Sequence, residues 1–348
     1  MRKAASITII DVAKEANVSI ASVSRYLNAP LMLNADKAER IRDAIKKFNY
    51  RPNAIAASMR TQKTKMIALI IPSFTNMYYI DLYSAVREVT LKRGYSLDLY
   101  TTERDPDELR RILEQIPQRN FDGTIVAFLD EADTRDALLA AQERSPLVLL
   151  TSDPRQRRFN HVYIDACDAL YKVTRHLVSL GRKRIAFISG AADSVISREK
   201  LRGVQAALRE SGRSIDAQYI FYGQRQHFKS GIAGATEFLS LRKRPDGIVC
   251  ATDDIGIGCM KKLLQEGIRI PEEIAVASFN GISVLQSLEP EITTAAQPLP
   301  EMANALFDLL LESMNDAEMQ LRRIAFKAEL KVRNSTVGAE GSRGRRPG

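Results

Sequence analysis

The segment NVSIASVSRYLN, residues 17–28, sets a single arginine, Arg25, behind a run of slender residues, Ile20, Ala21 and Ser22. A guanidinium is a planar fork of donors that matches guanine O6 and N7. A helix with few bulky side chains at its leading end can enter the major groove of a duplex. The small neighbours are free to touch thymine methyls or to let the backbone approach phosphates. Catalytic chemistry finds no comparable constellation. His161, His176 and His227 are far apart in sequence, and none falls in a Cys/His or Ser/His signature. GIGCM offers Gly256 and Gly258 but lacks the third glycine of a dinucleotide fingerprint, and no Walker or G-x-S-x-G motif occurs. No catalytic residue, metal site or cofactor is expected.

The elements that must hold Arg25 are two short helices. Thr8 caps a first helix starting at Ile9, with Asp11 in the first turn, where the helix dipole favours an acid. Val12, Ala13 and Ala16 form its buried stripe. Asn17 stands where the turn needs a left-handed residue, which asparagine tolerates. Ser19 caps the second helix, Ile20 to about Leu27, with Val23 and Leu27 inward and Ile20, Ala21, Ser22 and Arg25 outward.

Charge points the same way. Residues 1–65 hold thirteen Lys/Arg against five Asp/Glu, a net +8 of the chain's +9, whereas residues 66–336 are net −1. A basic head on a near-neutral body suits a polyanion, because phosphate contacts supply most nonspecific affinity. Three widely spaced cysteines, Cys167, Cys250 and Cys259, read as reduced thiols. The apolar start of MRKAASITII is broken by Asp11, Lys14 and Glu15, and the longest apolar run, Met66–Ile71, is far short of a membrane span. A cytoplasmic protein is expected, without membrane contact.

From Met66 the texture changes. Apolar runs at 66–71, 95–100, 123–128, 146–151, 161–164, 184–189, 247–251 and 274–279 alternate with segments of helical length such as 78–93, 166–181 and 254–267. That alternation predicts two doubly wound parallel sheets with a cleft between them, ligands binding beyond the carboxyl ends of the strands. The Gly/Arg-rich end reads as a disordered tail, residues 337–348.

TIIDVAKEANVSIASVSRYLN, then ERIRDAIKKFNYRPNAIAASMR, resembles the amino-terminal headpiece of the lactose/galactose repressor (LacI/GalR) family. The resemblance implies an all-α helix-turn-helix headpiece (1–52), a hinge helix and linker (53–65), and an α/β periplasmic-binding-protein-like sensor (66–336). The sensor's N-subdomain would span about 66–164 and 296–325, and its C-subdomain about 165–295 and 326–336. Base reading falls to Ile20, Ala21 and Arg25, with Ser19, Ser22, Ser24 and Asn28 nearer the backbone or turn, and Thr8 and Tyr50 are counted among the DNA-binding residues. In the hinge the resemblance marks Asn53, Ala56, Met59 and Arg60. Met59 takes the place of the leucine that members push into the minor groove, for which a flexible apolar side chain is a credible wedge. Ala57 stands where many members carry arginine.

By the same resemblance the cleft is an effector site. SFTNMYYIDL supplies Tyr78 and Tyr79 at the cleft mouth, SREKLRG supplies Arg198 and Lys200, CATDDIG supplies Thr252 and Asp253, and ASFNGIS supplies Asn280. Thr151 and Asn280 replace aspartates common in the family. Fewer carboxylates beside Arg198 and Lys200 favour an anionic effector, a sugar acid or sugar phosphate. The expectation is a homodimeric regulator of carbohydrate genes, most simply a repressor, that binds operator DNA and a small sugar-like molecule. A solute-binding protein of the same body fold, or a regulator answering to a nucleobase, is the alternative.

Overall fold

The computed structural model describes residues 7–28, 33–50, 63–127, 134–153, 156–224, 227–316 and 319–342. The chain divides into two units, Met1–Thr64 and Lys65–Gly348. Unit 1 holds α1 (Ile9–Glu15), α2 (Ile20–Asn28) and α3 (Ala35–Phe48). The Thr8 backbone N–H and hydroxyl both donate to Asp11 Oδ2, at 2.8 and 2.7 Å, which locks the first turn of α1. Asn17 turns the chain at φ +50°. Ser22 N–H then donates to Ser19 Oγ at 3.1 Å to start α2. Asn34 caps α3, and Asn49, at φ +47°, ends it. Val12, Ala13, Ala16, Val23, Ile41 and Ala44 meet in a core closed by partly buried Tyr26, Leu27, Phe48 and Tyr50.

Unit 2 contains two six-stranded sheets. The first runs β11 (Arg323–Phe326), β5 (Asn160–Ile164), β4 (Leu147–Thr151), β3 (Gly123–Ala127), β1 (Met66–Ile71) and β2 (Ser96–Thr101), all parallel. The second runs β12 (Glu329–Lys331), β10 (Thr293–Ala296), β9 (Ala275–Asn280), β8 (Gly247–Cys250), β6 (Ile185–Ser189) and β7 (Ile220–Tyr222). Only the β10–β12 pairing in it is antiparallel. Helices α4 (Met77–Lys92), α5 (Pro106–Gln115), α6 (Arg135–Gln142) and α11 (Leu299–Asn315) belong with the first sheet. Helices α7 (Ala166–Ser179), α8 (Val195–Glu210), α9 (Phe228–Ser240) and α10 (Asp253–Gln265) belong with the second. Helices on both faces explain why the central strands are continuously apolar rather than alternating. The chain passes between the sheets three times, after β5, β10 and β11.

All eight apolar runs become strands within a residue or two. The remaining four strands, β7, β10, β11 and β12, lack such a run: the first is only three residues long, and β10 is Thr-Thr-Ala-Ala. Of the expected disordered tail, residues 337–342 belong instead to α12 (Asn334–Ser342), which breaks at Gly338 (φ +73°), and residues 343–348 lie outside the described residues. The start of α12 is anchored: buried Ser335 Oγ accepts from Thr293 N–H at 2.8 Å and donates to the Val276 carbonyl at 2.6 Å. Among the described residues no helix is long and apolar enough to cross a membrane.

Candidate functional site

Unit 1 presents one face of α2. Ile20, Ala21 and Arg25 are exposed, while Val23 is fully buried and Leu27 half-buried. Ser19 and Ser22 sit at its first turn with their hydroxyls 3.0 Å apart, and Ser24 is half-buried. Thr8 is exposed at the start of α1, its hydroxyl already given to Asp11. Tyr50, expected among the DNA contacts, is half-buried against the core of unit 1, just after the αL turn at Asn49. The side chain of Asn28 and the hinge residues Asn53, Ala56, Met59 and Arg60 lie outside the described residues.

Unit 2 presents a cavity of about 400 Å³, within the range of small-molecule sites. Its walls come from the carboxyl ends of strands in both sheets: Tyr78 and Tyr79 after β1, Arg104 after β2, Ser152 after β4, Lys200 after β6, Thr252 after β8 and Asn280 at the end of β9. Side chains beyond converging strand ends are what a doubly wound topology supplies.

The aromatic pair is inside, not at the mouth. Tyr78 and Tyr79 are 3% and 6% exposed, edge to face at 5.4 Å, and burial pushes the Tyr79 phenol up to about 12. Tyr78 Oη donates to Gln297 Oε1 at 2.9 Å, and Gln297 Nε2 donates to Asn280 Oδ1 at 3.0 Å. This relay runs from the first sheet, through a crossover residue, to the second. Asn280, at φ +131°, lines the cavity with its side-chain oxygen already accepting from Gln297. Thr252 caps α10, accepting from Ile255 N–H at 3.4 Å.

Three expected ligand residues do not line the cavity. Asp253 is fully buried, and its two oxygens accept from Ser278 Oγ, Thr294 Oγ1, Gly281 N–H and Ile282 N–H at 2.5–2.8 Å. With four donors satisfied it joins α10 to β9 and β10 and has nothing left for a ligand. Arg198 is exposed, and its guanidinium donates to the Asp193 carbonyl. Thr151 turns its hydroxyl to the N–H of Asp153, at 3.0 Å, and the cavity meets Ser152 instead.

Lys200 is the buried cation of the pair read from SREKLRG. It is 3% exposed, with Nζ donating to the Ala251 carbonyl at 2.8 Å and lying 5.2 Å from the centre of the Phe279 ring. Burial pulls its ammonium down to about 7, Asp253 opposing and Arg104 adding to the fall. Sequence reasoning missed Arg104 itself, in TTERDPDEL. Glu103 and Arg104 are consecutive left-handed residues, φ +48° and +66°, a conformation costing a side-chain-bearing residue about 1 kcal/mol or more. Arg104 N–H donates to the Pro72 carbonyl at 3.1 Å, closing the turn. Glu103 accepts from Ser73 Oγ at 2.9 Å and Asp105 caps α5 through Asp107 N–H at 2.9 Å. Among the described residues, no carboxylate is ion-paired with Arg104. Its only signal in the sequence was its place, just past a strand end.

The bacterial regulatory proteins of the lacI family match residues 8–53, and the periplasmic binding protein-like domain matches residues 174–336. The chain is 31% identical to the HTH-type transcriptional regulator RegA of Clostridium saccharobutylicum, over 95% of this chain and 99% of that protein. Among solved structures it is similar to a transcriptional regulator CelR–cellobiose complex: 26% identity, TM-score 0.71, with 94% of this chain and 99% of that one covered. A lac repressor dimer bound to operator and the anti-inducer ONPF shares the fold, with TM-score 0.82 at 22% identity, over 95% of this chain and 99% of that one.

Proposed function

The chain belongs to the LacI family of bacterial regulatory proteins, and on that premise we propose that it is a sequence-specific DNA-binding repressor of carbohydrate genes controlled by a small effector. The observation that carries the reading is the exposed Ile20–Ala21–Arg25 face of α2 on a unit that holds most of the chain's net charge. Arg25 reads a base edge, Ile20 and Ala21 fit the groove floor, and Ser19, Ser22, Ser24, Asn28 and Thr8 lie along the phosphates. Asn53, Ala56, Met59 and Arg60 form the hinge, with Met59 as the minor-groove wedge. The cavity of unit 2 takes the effector, a sugar acid or sugar phosphate, on Tyr79, Lys200, Thr252 and Asn280.

The protein works as a homodimer, since a two-fold protein matches a two-fold operator. The solvent face of α4 supports this, with Ile80 and Leu91 exposed at 44% and 49% beside a shallow groove along Tyr83, Arg87 and Leu91. Effector binding shifts the population between two arrangements of the sheets, limited by the difference in affinity for each.

Fragments of the source genome selected on the purified full chain supply the operator. Arg25→Ala then weakens binding to it about 10- to 100-fold in gel shifts, the value of one bidentate base contact, and leaves scrambled DNA unchanged. Equal loss on both sequences would remove Arg25 from base reading.

A further inference from the structure

Arg104 and Lys200 line one cavity from opposite sides. Arg104 follows β2 of the first sheet, and Lys200 lies on α8, behind β6 of the second. The two are close enough for the charge of Arg104 to weigh on the Lys200 ammonium. The other groups around Lys200 are the Ala251 carbonyl at the end of β8, the Phe279 ring on β9 and Asp253 on α10. Asp253 already accepts four hydrogen bonds. The acids flanking Arg104 are also engaged, Glu103 by Ser73 and Asp105 by the first turn of α5. Two cations thus line one space beside the already engaged Glu103 and Asp105: Lys200 is held by a carbonyl, neither cation is ion-paired among the described residues, and Arg104 sits on a turn strained at two successive positions.

We infer that the effector carries an anionic group, a carboxylate or phosphate, which bridges Arg104 and Lys200 across the cavity, Arg104 being the residue that selects anionic over neutral ligands. The inference rests on the reading of the cavity as the effector site and deepens it. A bridging anion relieves the repulsion between the cations and draws the two sheets' strand ends together, so selection and closure share one contact. It also brings a proton. Below pH 7 the free Lys200 is charged and affinity is full. As pH rises above 7 the proton must be taken up on binding, and affinity falls by at most about tenfold per pH unit.

The test is calorimetry and thermal melting of the full chain with D-gluconate, glucose 6-phosphate, inorganic phosphate and D-glucose. One or both sugar anions bind and raise the melting temperature, while D-glucose does not, and comparison of the two separates carboxylate from phosphate. Arg104→Gln, an exposed loop change whose unliganded melting matches wild type, loses about 10- to 100-fold in affinity for the anion. At pH 7.5, titrations in two buffers of different ionisation heat show uptake of up to about three-quarters of a proton. Lys200→Gln weakens binding of the anion, and the binding that remains takes up no proton. Undiminished binding by Arg104→Gln overturns the bridge, whereas inorganic phosphate binding as well as the sugar anions, and weakened by Arg104→Gln, upholds the bridge and removes the sugar from the reading. D-glucose binding in preference to the anions overturns it too, yet leaves the cavity a ligand site. Failure of every sugar to bind removes both readings.

Discussion

Asp254 occupies the second position of α10 and reaches the other sheet's helix. Its Oδ1 accepts from Met77 N–H at 3.5 Å, whereas Oδ2 is buried without a hydrogen-bond partner. Burial pushes its carboxyl up to about 6 from an ordinary 3.8, against the Met77 contact and with help from Asp253. Above pH 6 the ionised group therefore costs stability. Below it the folded state takes up the proton before the unfolded state does, and the cost disappears as pH falls toward 3.8. Asp254→Asn, which keeps an acceptor for Met77 and cannot ionise, raises stability at pH 7.5 by up to about 3 kcal/mol, with the gain shrinking toward pH 4.5. Urea melts at the two pH values measure it, and a gain equal at both would mean that ionisation is not the cause. Adjacent Asp253 shows how residue type alone misleads. At a strand end opening a helix it has the address of a ligand residue, but Ser278, Thr294 and the 281–282 backbone arrive from distant sequence and consume it.

At the scale of elements, the glycines that failed to make a dinucleotide fingerprint turn out to set helix spacing. A Cβ on Gly231 of α9 would lie 2.0 Å from the Ile255 carbonyl oxygen of α10, and one on Gly258 of α10 would lie 2.0 Å from the Phe228 carbonyl oxygen of α9. The two backbones touch reciprocally, and no side-chain rotation can make room. Gly258→Ala should cost on the order of 3 kcal/mol by forcing the pair apart. Gly256→Ala, whose nearest neighbour is the Ser278 Cβ at 3.1 Å, should cost clearly less. Denaturant midpoints of the two variants decide it, and Gly258→Ala at wild-type stability would refute the close packing. The GIGCM spacing is visible in the sequence. What the glycines approach is not, because α9 and β8 separate the partners along the chain.

For the whole molecule, charge partition makes DNA affinity a property of the basic head. Residues 1–65 carry thirteen Lys/Arg, and residues 66–336 are net −1. If a dimer neutralises about six phosphates or more, the logarithm of operator affinity falls against log salt with a slope of roughly −5 or steeper. Fluorescence anisotropy from 50 to 300 mM salt tests this, and a shallow slope would contradict phosphate contacts by the head. The slender α2 with Arg25, its caps and turn, and the eight strands that arise from apolar runs were all determined by the sequence itself. Each follows from local chemistry: a hydroxyl cap, an asparagine able to turn left-handed, or an apolar run long enough to span a sheet. Only the tertiary structure decided that β7, β10, β11 and β12 are strands, because their pairing partners supply what their own residues do not. It likewise put Arg104 into the cavity and took Arg198, Asp253 and Thr151 out of it. A side chain near a strand end can meet a ligand or its own fold, and for Asp253 that depends on groups 25 to 41 residues further along the chain, which only folding brings to it.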